Sequence, residues 1–211
     1  MYLKSALVIV TLCAAVLAAP TKKNEASTGC KPLYSGTLVT YMNKPTKEFN
    51  VVFTKKPVDK FGYKMLVYHE GKTQPAHKVT FTECAAVRHW VGNQSESYES
   101  FGRLEVDEQP GTCITHLDPN DMREVALGLA SCEDITSDKG KHQWFASNLD
   151  RKANSVDLSA YVADNKTFYT QWRYEYQDDP QLVGMKVLAL TRDPPYRGNY
   201  NWLRLKDSKG A

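Results

Sequence analysis

Short runs of alternating apolar and polar residues, cut repeatedly by proline and Asx turns, leave this chain little choice of architecture. Val79-Thr80-Phe81-Thr82 alternates, and so does Val125-Ala126-Leu127-Gly128-Leu129 with small residues between. Met185-Lys186-Val187-Leu188-Ala189-Leu190 is a third such run. Val156 to Val162 and Phe168 to Tyr176 are rich in the β-branched and aromatic residues that suit a pleated, half-buried surface. Between these runs come Asn43-Lys44-Pro45, Gln109-Pro110-Gly111, Asp118-Pro119-Asn120-Asp121, Asp178-Asp179-Pro180 and Asp193-Pro194-Pro195. Proline cannot donate to a ladder and Asx side chains bond their own backbone, so strands break at these places. Only Asn120 to Leu129 competes as a helix, and its second half reads better as strand. The expectation is an all-β chain of many short strands.

The first residues read as a secretory signal peptide. Lys4 supplies a short positive region, and Ala6 to Val16 form an apolar run too short to span a bilayer. Cleavage is expected after Ala18, with Val16 three residues back, because a cut after Ala19 would place Pro20 beyond the scissile bond. The expected organisation is signal peptide over residues 1–18, a polar linker or short pro-segment over 19–29, and one domain over 30–211. Lys22-Lys23 is either a dibasic trimming site or part of a solvated linker. The product is therefore expected outside the cell, with no membrane anchor and as a monomer.

Cysteine usage agrees with export. Cys13 leaves with the signal, and Cys30, Cys84, Cys113 and Cys132 remain, an even number that argues for two disulfides among three possible pairings. No pair has the C-x2–4-C spacing of structural zinc, and His142 near Cys132 is a lone histidine, so no metal is expected. The 27 basic residues less Lys4 face 24 acidic ones. The two signs are interspersed rather than gathered into the basic stripe that nucleic acid requires.

Catalytic motifs are missing. There is no Gly-x-Ser-x-Gly elbow, no His-Glu-x-x-His and no Gly-rich phosphate loop. Asp178-Asp179, or Asp118 with Asp121, could in principle serve a glycosidase, but each lies beside a proline in a turn-like string. Asp118, Asn120, Asp121 and Glu124 lack the glycine and spacing of an EF-hand loop. No enzyme activity and no cofactor are expected. Asn93-Gln94-Ser95 and Asn165-Lys166-Thr167 are N-glycosylation sequons, which would mark Asn93 and Asn165 as surface positions.

An internal repeat runs through the mature sequence. Lys78 to Cys84, Glu124 to Cys132 and Gly184 to Thr191 look alike, and each precedes a tryptophan in a strand-like context: Trp90, Trp144 and Trp202. Gly36-Thr37-Leu38-Val39 and Gly102-Arg103-Leu104-Glu105 match as openings of the first two units, and Ser155-Val156-Asp157-Leu158 opens the third. Four strands in each of three units make a pseudo-threefold barrel.

The middle unit carries a resemblance. Gly102-Arg103-Leu104, Cys113-Ile114-Thr115, Val125 to Cys132 and His142-Gln143-Trp144 together resemble one repeat of a ricin B-like β-trefoil, over Phe101 to Asn148. Cys30 to Leu38 and Thr82-Glu83-Cys84 look like small secreted fungal members of that class. The resemblance implies a β-trefoil in which Cys113 pairs with Cys132 and Cys30 with Cys84, and repeat tryptophans that pack into the shared core. The first bond closes a loop of about 20 residues, worth roughly 3 kcal/mol in the chain-entropy account. It also implies a carbohydrate ligand, but the sugar-binding groups of the family do not carry over. Thr115 stands where the family has its bidentate aspartate, Ala130 where it stacks an aromatic ring, Gly128 where it has a glutamine partner and Lys141 where it has asparagine. The usual site in this repeat is expected to be dead.

Elsewhere, Asp157 and Asn165 in the third unit, or Tyr41 and Asn43 in the first, could be displaced sugar contacts or simply surface turns. Trp172, Tyr174 and Tyr176 recur at period two and read either as core or as an exposed binding platform. The expected function is a secreted, non-catalytic binding module with a glycan ligand. The alternative is a module that meets an extracellular protein through long loops, such as Asn43 to Lys60 and Asp193 to Tyr200.

Overall fold

The computed structural model describes residues 29–43, 46–58, 62–70, 75–91, 98–117, 124–162, 167–169, 172–174, 182–191 and 201–210. Its strands join one fourteen-stranded sheet, and their pairing defines three units. The first holds β1 (Cys30–Asn43), β2 (Thr46–Asn50), β3 (Val52–Phe53), β4 (Lys64–Tyr68) and β5 (Lys78–Cys84). The second holds β6 (Ser100–Val106), β7 (Thr112–Leu117), β8 (Glu124–Ser131) and β9 (Phe145–Asp150). The third holds β10 (Ser155–Val162), β11 (Thr167–Tyr169), β12 (Trp172–Tyr174), β13 (Lys186–Thr191) and β14 (Asn201–Gly210).

The first and last strands of each unit close a ring. β1 pairs β5, β5 pairs β6, β6 pairs β9, β9 pairs β10, β10 pairs β14, and β14 returns to β1, every pair antiparallel. The inner hairpins form a triangular cap, in which β4, β8 and β13 each pair with the other two. A six-stranded barrel capped by three mutually paired hairpins is the β-trefoil. The sequence predicts four strands per unit, and the two extra ones are splits. β2 lies on β1 while β3 crosses to β4, and β11 lies on β10 while β12 crosses to β13.

The openings of the three units point inward. Leu38, Leu104 and Leu158 all sit in the barrel core at 1 % exposure or less, with Phe81, Phe145 and Leu205. The glycine of the Gly-x-Leu opening has a steric cause in the second unit. A Cβ at Gly102 would stand 1.9 Å from the Thr82 carbonyl oxygen of the neighbouring β5. A second cluster fills the cap with Val52, Met65, Val67, Leu117, Ala126 and Val187, drawn from all three hairpins.

Both disulfides form as the resemblance implies, Cys30–Cys84 and Cys113–Cys132. Two of the repeat tryptophans need correction. Trp90 is no strand residue and no core residue: it lies on α1 (Ala85–Val91) and is 58 % exposed. Val87 and Val91, one turn apart, take the inward face of that helix and leave Trp90 on the outer one. Trp144 is buried, but in a satellite cluster with Val87, Phe101 and Ile135 rather than in the barrel, and its Nε1 donates to the Ile135 carbonyl at 2.8 Å. Trp202 lies on β14, with its side chain outside the described residues. The segment expected as a long loop, Asn43 to Lys60, contains β2 and β3, and Asp193 to Tyr200 lies outside the described residues.

His116 on β7 is buried against the edge of Phe145, and its Nε2 has no hydrogen-bond partner among the described residues. Burial, helped by the nearby His142, pushes its pKa down from 6.5 to about 3. The unfolded chain therefore binds a proton below pH 6.5 that the folded chain refuses until about pH 3, so stability from this residue is complete above pH 6.5 and is lost as pH falls.

Two outcomes are expected. Denaturant unfolding of the wild type should show stability falling as pH drops from 6.5 to 4, with His116 alone contributing a slope that approaches the one-proton limit toward the lower end, and His116→Leu should flatten that fall. An unchanged slope in the variant would contradict the burial of a neutral imidazole. Gly102→Ala should lower stability by about 3 kcal/mol or more, read from the denaturation midpoint, because backbone and not a flexible side chain must yield.

Candidate functional site

In the middle unit, the position that the ricin B-like resemblance would make a sugar site is filled by the protein's own groups. Thr115 is 6 % exposed, and its hydroxyl donates to the His142 carbonyl. Gly128 faces Met65 where β4 crosses β8, and a Cβ there would stand 2.3 Å from Leu117 Cδ1 and 2.8 Å from the Lys64 carbonyl oxygen. Lys141 is held by Asp138 at 2.7 Å and places its ammonium 5.3 Å from the centre of the Trp90 ring. Gln143 is spent on the backbone: it accepts from the Glu133 amide and donates to the Ser131 carbonyl, one on each side of Cys132. A side chain long enough to grip a sugar has no room at 128, and at 115 a buried hydroxyl, its one donor spent on His142, stands in place of a carboxylate.

Asp157 and Tyr41, candidates from different units, do come together, but around a cation. Arg204 on β14 donates from Nε to Asp157 Oδ1 at 2.6 Å and lies 4.7 Å from the centre of the Tyr41 ring. Its other arm is 3.9 Å from Asp150. A carboxylate already gripped by arginine is a poor acceptor for sugar hydroxyls, so this cluster reads as a brace across β10, β14 and β1. Trp172 and Tyr174 fall on β12 with side chains outside the described residues. Tyr176, Asn165, Asn93, Asp118, Asp121, Asp178 and Asp179 also lie outside them, and Asn43 ends β1.

Among the described residues a recess lies in the first unit, where β3 and β4 meet the start of β13. It is a cleft of about 440 Å³, a size typical of small-ligand sites. Val52, Phe53, Val67 and Met185 give it an apolar floor, while Lys55, Lys56, His69 and His77 supply its charged and polar groups. Sequence explains the corner. The Thr54 hydroxyl donates to the Lys56 carbonyl and accepts the Met65 amide, turning the chain out of β3 so that both lysines face solvent. The Phe53 and His77 rings stack at 4.5 Å between centroids. His69 Nδ1 donates to the Gly184 carbonyl at 3.0 Å, which leaves Nε2 for another partner.

Sequence reading missed this cleft because its walls come from segments without a shared motif. The available signal was Lys55-Lys56 two residues after Phe53, inside the segment expected as a long loop. Among the described residues, no group of three or more His, Cys, Asp or Glu could hold a metal ion. No helix among them is long and apolar enough to cross a membrane.

No family model and no curated protein matches the chain. Among solved structures, a mutant of gallus interleukin-1 beta aligns over 86 % of this chain and 99 % of its own, at 11 % identity and a TM-score of 0.44. The fold assignment rests on the strand pairing, which stands without it.

Proposed function

We propose that the protein is a secreted, non-catalytic binding module that takes a carbohydrate in the first-unit cleft. The β-trefoil supplies a rigid barrel with three hairpins at one end, an architecture compatible with binding. The observation that carries the reading is the Phe53–His77 stack at the wall of an open recess. A tilted ring pair beside polar groups offers a sugar both an apolar platform and hydrogen bonds, a combination that the middle unit does not present. The apolar leader and the two disulfides support export.

One feature favours a protein partner instead. Trp90 is 58 % exposed beside the long side chain of Lys141, and exposed tryptophans are enriched where proteins meet.

A glycan array probed with purified mature protein separates the two readings. Saturable binding to a class of glycans is expected, weakened about tenfold or more by Phe53→Ala, which removes a stacking platform, and unaffected by Trp90→Ala. A blank array from a folded, fully oxidised sample would overturn the carbohydrate reading. Retention of an extracellular protein that depends on Trp90 would replace it.

A further inference from the structure

The cleft has an unusual balance of polar groups. Its four titratable side chains, Lys55, Lys56, His69 and His77, are all basic. Among the described residues no carboxylate or side-chain amide lines it, and neither lysine has an ion-pair partner. Glu108 stands beside His77, with Oε2 3.9 Å from His77 Nδ1 while Oε1 accepts the Lys78 amide at 3.0 Å. That carboxylate is shared between His77 and the Lys78 amide, and Glu108 does not line the cleft.

Neutral sugars are gripped by acceptors, because paired hydroxyls donate most strongly to a carboxylate or amide oxygen. Ammonium groups have three donors and no acceptor. The Thr54 hydroxyl is already used in both directions by Lys56 and Met65. What remains is one imidazole nitrogen at a time, which cannot hold two hydroxyls together. The same donors match a charged oxygen well, since a hydrogen bond to an ionised acceptor is roughly twice as strong as a neutral one.

Building on the proposed carbohydrate reading, we infer that the first-unit cleft selects an acidic saccharide, with a carboxylate- or sulfate-bearing sugar whose charge meets Lys55 and Lys56 and whose apolar face rests on Phe53 and His77. The two lysines then set selectivity by charge, and the ring pair sets position. Salt weakens the complex, because both ammonium groups are exposed and screened.

Calorimetric titration of the mature protein with three probes tests this: an oligogalacturonate, the same oligomer fully methyl-esterified, and a sulfated oligosaccharide of similar length. Binding to the first or the third is expected, and which one binds tells carboxylate from sulfate. The ester should bind at least tenfold more weakly than the acid, and Lys55→Gln with Lys56→Gln should cost about tenfold toward the acid. Both substitutions fall on exposed side chains, and an unchanged near-ultraviolet dichroism spectrum confirms the fold of the variant. Equal affinity for acid and ester would overturn charge selection while leaving a carbohydrate cleft in place. Binding to a neutral glycan that Phe53→Ala abolishes would do the same. Acid binding unaffected by the lysine and Phe53 variants would place the anion elsewhere and overturn the inference. Silence toward every saccharide would remove the carbohydrate reading and this inference together.

Discussion

Strand β1 has more neighbours than any one strand can normally hold, and the closed barrel follows from how it divides them. Residues Cys30 to Thr37 face β5, Tyr34 to Met42 face β14, and Val39 to Asn43 face β2 on the side that β5 leaves open. Two irregularities in register, at Pro32/Tyr34 and Ser35/Thr37, bend the strand enough to make the hand-over. A slip of one residue would turn Leu38 from the core to the solvent. Closure also removes the open edges that a long sheet would otherwise present to other chains.

How much of this was legible depended on whether the signal was local. The unit openings were readable because the Gly-x-Leu pattern reports one steric fact, the close pass of β6 over the Thr82 carbonyl, and one packing fact, the inward leucine. The third unit lacks that glycine, yet Leu158 occupies the matching position. Trp90 was misplaced because three recurring tryptophans suggested a common role, while the helical signal rests on a single i, i+4 pair, Val87 and Val91. The cleft was not legible at all. Phe53, His69, His77 and Met185 are separate in sequence, and only the crossing of β3 to β4, beside β13, gathers them.

The middle and first units use similar strands to opposite ends. In the middle unit β7 runs unbroken along β8, so loop polar groups find partners within the repeat and the space closes. In the first unit the second strand breaks at Val51, whose amide donates to the Leu38 carbonyl. The chain then turns across the cap, and a recess opens at the corner. The filled space in the second unit and the recess in the first thus accompany a difference in whether one strand stays whole.

The covalent staples are unevenly shared among the repeats. Cys30–Cys84 ties the two barrel strands of the first unit, and Cys113–Cys132 ties the hairpin of the second, whereas the third has neither. Both bonds join positions inside a single repeat, so oxidation can proceed while the C-terminal third is still a free chain. Ring closure must wait for β14, which has to find β1 across almost the whole described sequence, and non-local pairing of that kind is slow. On that basis two oxidised repeats would be expected to assemble first and the seam between the ends to seal last. The third repeat has no disulfide of its own; among the described residues the Arg204 brace, the Lys206–Glu48 ion pair and the β14 ladders tie it to the ring, and it is where the native barrel would be expected to open first.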